Sequence, residues 1–83
     1  MYIHLGNEMV VKDKDIVGIF DLETTTISKH SRKFLEVAEK NKQVINVSYE
    51  LPKSFIVTSK NKQNKVYISQ ISTATLQKRS NIL

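Results

Sequence analysis

Tyr2-Ile3-His4-Leu5, Gly6-Asn7-Glu8, Met9-Val10-Val11, Lys12-Asp13-Lys14-Asp15 and Ile16-Val17-Gly18-Ile19-Phe20 open the chain after Met1, and their reading decides the fold. Three short apolar runs, separated by turn residues and a charged tetrapeptide, predict consecutive strands of one small sheet. Gly6-Asn7 supplies the positive φ that a tight connection needs. No positively charged run followed by an apolar stretch stands ahead of the first strand, so no signal peptide is expected.

Working outward, Asp21-Leu22-Glu23-Thr24-Thr25-Thr26 is polar and rich in residues that cap helices. Ile27, Ser31, Phe34, Leu35 and Ala38 then fall at i, i+4, i+7, i+8 and i+11, which lays a narrow apolar stripe along a helix of about three turns. Thr26 or Ser28 caps it and Asn41 ends it. Lys29, Arg32, Lys33, Glu36, Glu39 and Lys40 occupy its other faces. A helix with one apolar stripe must lie on a face of the sheet.

The segment from Val44 to Glu50 alternates, with Ile45, Val47 and Tyr49 on one side, until Leu51-Pro52-Lys53 interrupts it. Ser54-Phe55-Ile56-Val57-Thr58-Ser59 is β-branched and aromatic and reads as a central strand. Lys60 to Lys65 reads as a polar, basic hairpin tip, and Val66 to Ile71 as the returning strand. Ser72 or Thr73 caps a short final helix, and the last four residues are expected to fray. The predicted class is α+β, a single domain over residues 1–83. It comprises a small, mostly antiparallel sheet of about five or six short strands, one amphipathic helix packed on it, and a short C-terminal helix.

Composition narrows the function. The 83 residues include no cysteine, which excludes disulfides and thiolate metal sites, and no apolar run approaches bilayer-spanning length. Small domains without such staples often oligomerise. The formal net charge of +5 is unevenly spread. Residues 1–50 hold seven basic and all eight acidic side chains, whereas residues 51–83 hold six basic ones and no acid. A one-signed segment of this kind attracts polyanions.

Asp13-x-Asp15, with Asp21 and Glu23 nearby, could in principle grip a hard cation, but no glycine-punctuated calcium loop surrounds it. It reads as a solvated turn compensated by Lys12 and Lys14, and no metal or cofactor is expected. His4 and His30 have no sequence-adjacent nucleophile, and phosphate loops, nucleophile elbows and HExxH are absent, so no enzyme is expected. The basic tip with Lys53 has two readings: lysines that keep a hairpin from edge-to-edge aggregation, or a phosphate-binding surface. Helix-turn-helix, zinc-finger and RNP patterns are missing.

Several stretches, taken as a set, resemble a known family. They are Tyr2-Ile3-His4-Leu5-Gly6, Val10-Val11, Asp15-Ile16-Val17-Gly18-Ile19-Phe20-Asp21, Pro52-Lys53-Ser54, Ile56-Val57-Thr58 and Leu76-x-Lys78-Arg79. The chain resembles the RemA/RemB family of bacterial extracellular-matrix regulators, nearer to its RemB (YaaB) branch. The resemblance implies a LytTR-related fold and a DNA-binding transcriptional regulator of biofilm-matrix genes. It also implies a homo-oligomer, in the form of a closed ring that double-stranded DNA can wrap. RemA-type members carry arginines where this chain has Asp15, Leu51 and Pro52, so phosphate contacts are assigned instead to Lys14, Arg32, Lys33, Lys53, Lys60 and Lys62. The expected location is the cytoplasm, on the nucleoid, with no membrane partner and no small-molecule substrate. The rival expectation is an oligomeric protein-binding adaptor with little direct DNA contact.

Overall fold

The computed structural model describes residues 1–22, 29–48 and 50–80, leaving out the side chains of Lys29, Ser31 and Ser80. The expected helix caps Thr26 and Ser28, with Ile27 and Tyr49, lie outside the described residues. Of the four residues expected to fray, Ser80 closes the last helix and 81–83 lie outside the described residues.

The elements run β1 (Tyr2–Gly6), β2 (Met9–Lys12), a single 3-10 turn (Asp13–Asp15), β3 (Ile16–Asp21), α1 (Lys29–Lys40), β4 (Val44–Asn46), β5 (Ser54–Lys60), β6 (Gln63–Ser69) and α2 (Thr73–Ser80). The class is α+β. The opening strands do not build the one sheet that their spacing predicts. β1 and β2 form a separate antiparallel hairpin, while β3 joins a four-stranded sheet in the order β3-β5-β6-β4. The reason lies at Asp13–Asp15, where the 3-10 turn redirects the chain from one layer to the next. β4 pairs parallel to β6; the other pairings are antiparallel.

Cross-strand pairing sorts the sheet's side chains onto two faces. Ile19, Ile56, Tyr67 and Ile45 share one face and meet Ile3, Leu5 and Val11 of the hairpin, with Leu76 of α2. Phe55, Val57, Val66 and Ile68 share the other and meet Leu35 and Ala38 of α1. The four-stranded sheet is therefore the middle of three layers, and β5, covered on both faces, is buried from Ser54 to Thr58.

Two serines tie the layers together at one end. The Ser69 hydroxyl donates to the Leu5 carbonyl across 2.7 Å and accepts the Ile71 N–H at 3.0 Å. Its cross-strand partner Ser54 donates to the Ile71 carbonyl at 2.7 Å. Ser72 caps α2, its hydroxyl accepting the Thr75 N–H at 3.3 Å. Past Asn41, α1 closes in a Schellman arrangement: the Gln43 N–H reaches the Ala38 carbonyl and the Lys42 N–H the Glu39 carbonyl. Lys42 holds the left-handed position with φ 58°.

Candidate nucleic-acid interface

The hairpin tip is tighter than composition suggests. Where Lys60 to Lys65 reads as a six-residue tip, β5 runs through Lys60 and β6 begins at Gln63, so only Asn61 and Lys62 turn. Both have positive φ, 51° and 64°, as a two-residue type I′ connection requires. The ladder thus continues beyond the apolar core and fixes which way its polar side chains face. Lys60 pairs with Gln63 and Thr58 with Lys65, in line with Ile56 and Tyr67, so these residues share the face that carries the N-terminal hairpin.

Between that face and β2 lies a polar cleft of about 360 Å³. Lys60 and Lys65 line one side, and Tyr2 and Lys12 of the hairpin line the other. Tyr2 and Lys12 are cross-strand partners, with the Lys12 ammonium 5.9 Å from the Tyr2 ring centre. Asp15 contributes the cleft's single carboxylate. Tyr67, which also lines the cleft, sits within its field: burial first, then the Asp15 charge, push the pKa of its phenol above the usual tyrosine value. On the far side of the tip, Lys42, Lys62, Asn64 and Lys65 rim a second depression of about 330 Å³. At one end of the molecule these two depressions therefore gather Lys12, Lys42, Lys60, Lys62 and Lys65, with Asp15 the only carboxylate among the residues that line them.

The six cations expected from sequence divide into groups. Lys60 and Lys62 lie at this lysine end, and exposed Lys14 stands in the 3-10 turn beside it. Lys53 lies at the opposite end of β5, roughly 23 Å away at about 3.3 Å per residue, where its carbonyl accepts the Leu22 N–H. Arg32 and Lys33 are exposed on α1, in the layer across the sheet. Lys12, Lys42 and Lys65 were not among the expected contacts. Lys65 would have emerged from extending the alternation Lys65-Tyr67 back into the tip; Lys12 and Lys42 depend on packing that no local pattern displays.

Asp13 and Asp15 do not act together. Asp13 accepts the Lys14 N–H at 2.8 Å and lies 3.6 Å from the N-terminal ammonium, whereas Asp15 lines the cleft. Among the described residues, no three His, Asp or Glu side chains cluster closely enough to hold a metal ion. None of the described helices is long and apolar enough to cross a membrane.

An apolar groove of about 270 Å³ lies elsewhere, between α1 and the outer strand β3, lined by Val17, Phe20, His30, Phe34, Phe55 and Val57. Phe34, expected on the buried stripe, sits at its edge and stays 41% exposed. Phe20 stacks on Phe55 with ring centres 4.8 Å apart. Its ring lies across Gly18, where any Cβ would meet ring carbons at 2.8 Å, so only glycine admits this arrangement.

Against known proteins, residues 2–79 match the RemA-like family, described as extracellular matrix regulatory protein A-like. The chain is also 42% identical over 83 residues to extracellular matrix regulatory protein B of Bacillus subtilis (strain 168), covering all of this chain and 94% of that protein. The chain belongs to the RemA-like family. The two ends of the RemA-like span meet in space: the Arg79 guanidinium donates to the His4 carbonyl at 3.0 Å, drawing α2 onto β1. In this RemA-like chain Arg79 is thus engaged within the fold, and the cations lining the two clefts at the β5–β6 tip are lysines. Asp15, where the resemblance expects an arginine, places a negative charge in their midst.

Proposed function

We propose that this RemA-like chain is a DNA-binding transcriptional regulator of biofilm-matrix genes, acting on the nucleoid in the cytoplasm as a ring-shaped homo-oligomer. The LytTR-related fold that the resemblance implies belongs to the same proposal. One observation carries the DNA reading: five lysines converge on two clefts flanking the β5–β6 turn, with Asp15 the only carboxylate lining either. Lysines on a rigid two-residue turn present point charges to a phosphate backbone and carry no base code, so affinity rather than sequence choice is what they supply. A single subunit offers few such contacts. An oligomer multiplies them at high effective concentration, and wrapped DNA adds deformability as a source of selectivity. Lys53, Arg32 and Lys33 join the same path where the duplex bends round the subunit.

The relative's name and the family description both state extracellular-matrix regulation, and both support the regulatory part of the reading. The test is fluorescence anisotropy of a labelled duplex titrated at several salt concentrations. The wild-type chain should lose affinity linearly in log salt, and Lys60→Gln with Lys65→Gln should lower the slope by roughly 0.9 for each phosphate contact removed. A flat salt response, or an unchanged slope in that variant, sinks the proposal.

The apolar groove favours a second reading, a protein-binding adaptor, because large exposed aromatics mark interaction surfaces. The same titration separates the two: an adaptor gives no duplex signal to titrate.

A further inference from the structure

Duplex backbone contact calls for exposed cations, and the outer lysines of the tip provide them. The cleft beside β2 contains more than that. It is enclosed on two sides, and its volume of about 360 Å³ falls within the roughly 300–1,000 Å³ of small-ligand sites. It also combines more than cations: two tyrosines, a carboxylate that repels a phosphate backbone, and the side-chain amides of Asn61 and Gln63.

Each has a distinct chemistry. Tyr2 is 63% exposed, and the ammonium of its cross-strand neighbour Lys12 lies over one face of its ring, which leaves the other face for a planar heterocycle. Lys60 and Lys65 line the opposite wall on the same face of the β5–β6 ladder, with the Ser59↔Asn64 pair between theirs in register. They can bind a phosphate from two directions. Asp15 accepts only, and the Tyr67 phenol, which keeps its proton at neutral pH, is available to donate. The amides do both. A flat ring, a dianion and a set of hydroxyl and amino groups together make a nucleotide.

We propose that this cleft binds one nucleotide unit, its base against Tyr2, its phosphate between Lys60 and Lys65, and its sugar or base-edge donors toward Asp15. The unit is either a free nucleotide or an unpaired nucleotide within a single strand. The proposal rests on the cleft and not on duplex binding. Because Lys60 and Lys65 serve both, an occupied cleft competes with duplex for the lysine end.

The test is calorimetric titration of the full chain with adenosine and guanosine 5′-monophosphates, with ribose 5-phosphate, and with a short single-stranded oligonucleotide. Saturable binding of a mononucleotide identifies the free ligand; binding of the oligonucleotide alone identifies the strand. Ribose 5-phosphate should bind about tenfold more weakly, the loss expected from one missing stack. Tyr2→Ala should weaken base-bearing ligands by a similar factor and leave ribose 5-phosphate unchanged. Tyr2→Phe should retain binding, which separates stacking from folding. Absence of saturable binding by every base-bearing probe overturns the proposal, as does a Tyr2→Ala variant that binds like wild type or a ribose 5-phosphate that binds equally well. Failure of duplex binding in the parallel anisotropy measurement would fall on the DNA reading alone.

Discussion

Asp15 and Tyr67 show how one substitution reaches several properties. Asp15 is the only negative side chain in a lysine-lined cleft, so its carboxylate opposes any incoming phosphate. Asp15→Asn should raise duplex affinity several-fold at low salt in the anisotropy titration, with the gain shrinking as salt screens the cleft. The same charge helps hold the Tyr67 phenol in its protonated form. Its pKa is raised in the folded state, so the unfolded chain loses the proton first, near 10.0. Tyr67 therefore costs no stability below that pH, and stability falls as pH rises through the folded pKa. Urea unfolding between about pH 8 and 11 should show this decline, and Tyr67→Phe should flatten it.

At the scale of elements, the pairing Ser54↔Ser69 replaces apolar contact with hydrogen bonds at one end of the sheet. Ser69→Ala would leave the Leu5 carbonyl and the Ile71 N–H without their partner, costing about 1–3 kcal/mol for each buried group left unsatisfied. Chemical denaturation should report a lowered midpoint with an unchanged slope. This joint could not be read from the sequence, because a serine in a strand looks the same whether it faces water or a carbonyl 64 residues away. Strand identity was more accessible. Short apolar runs marked β1, β2 and β3, and β-branched and aromatic content marked β5. The returning run from Val66 marked the end of β6, and a cap at Ser72 or Thr73 marked α2. The alternation read over residues 44–50 holds as strand only over Val44–Asn46. Composition misled where it argued for loop: Gln63-Asn64-Lys65 is polar, yet the two positive-φ residues before it let the ladder continue. Partner choice was the deeper difficulty. Alternation says that a segment is a strand, not which sheet it joins, and a three-residue 3-10 turn sent β3 away from β2.

For the molecule as a whole, the groove between α1 and β3 is the exposed apolar surface on which the proposed contact between copies is placed. Val17 is 68% exposed beside the half-exposed rings of Phe20 and Phe34, and β3 forms the outer edge of its sheet. Water at such a surface favours its burial against another chain. Phe34→Glu should lower the molar mass seen by light scattering after size exclusion, while Lys60→Gln leaves that mass unchanged. An unaltered mass in Phe34→Glu would move the subunit contact to another face. The family was legible from sequence, and so was the basic tip that carries Lys60 and Lys62. The convergence of Lys12, Lys42 and Lys65 on the same end was not, because it depends on how three layers stack.

The N-terminal hairpin shares no backbone ladder with the four-stranded sheet. It is held by interior side chains and by a few side-chain bonds, among them Asn7 to the Val47 carbonyl at 2.7 Å. The gap between Lys12 and the Lys60–Lys65 pair is therefore gauged by the bulk of Ile3, Leu5 and Val11, which act as spacers. Leu5→Ala should change the affinity for phosphate in the duplex titration although Leu5 touches no ligand, because thinning a spacer resets the distance between the charges above it.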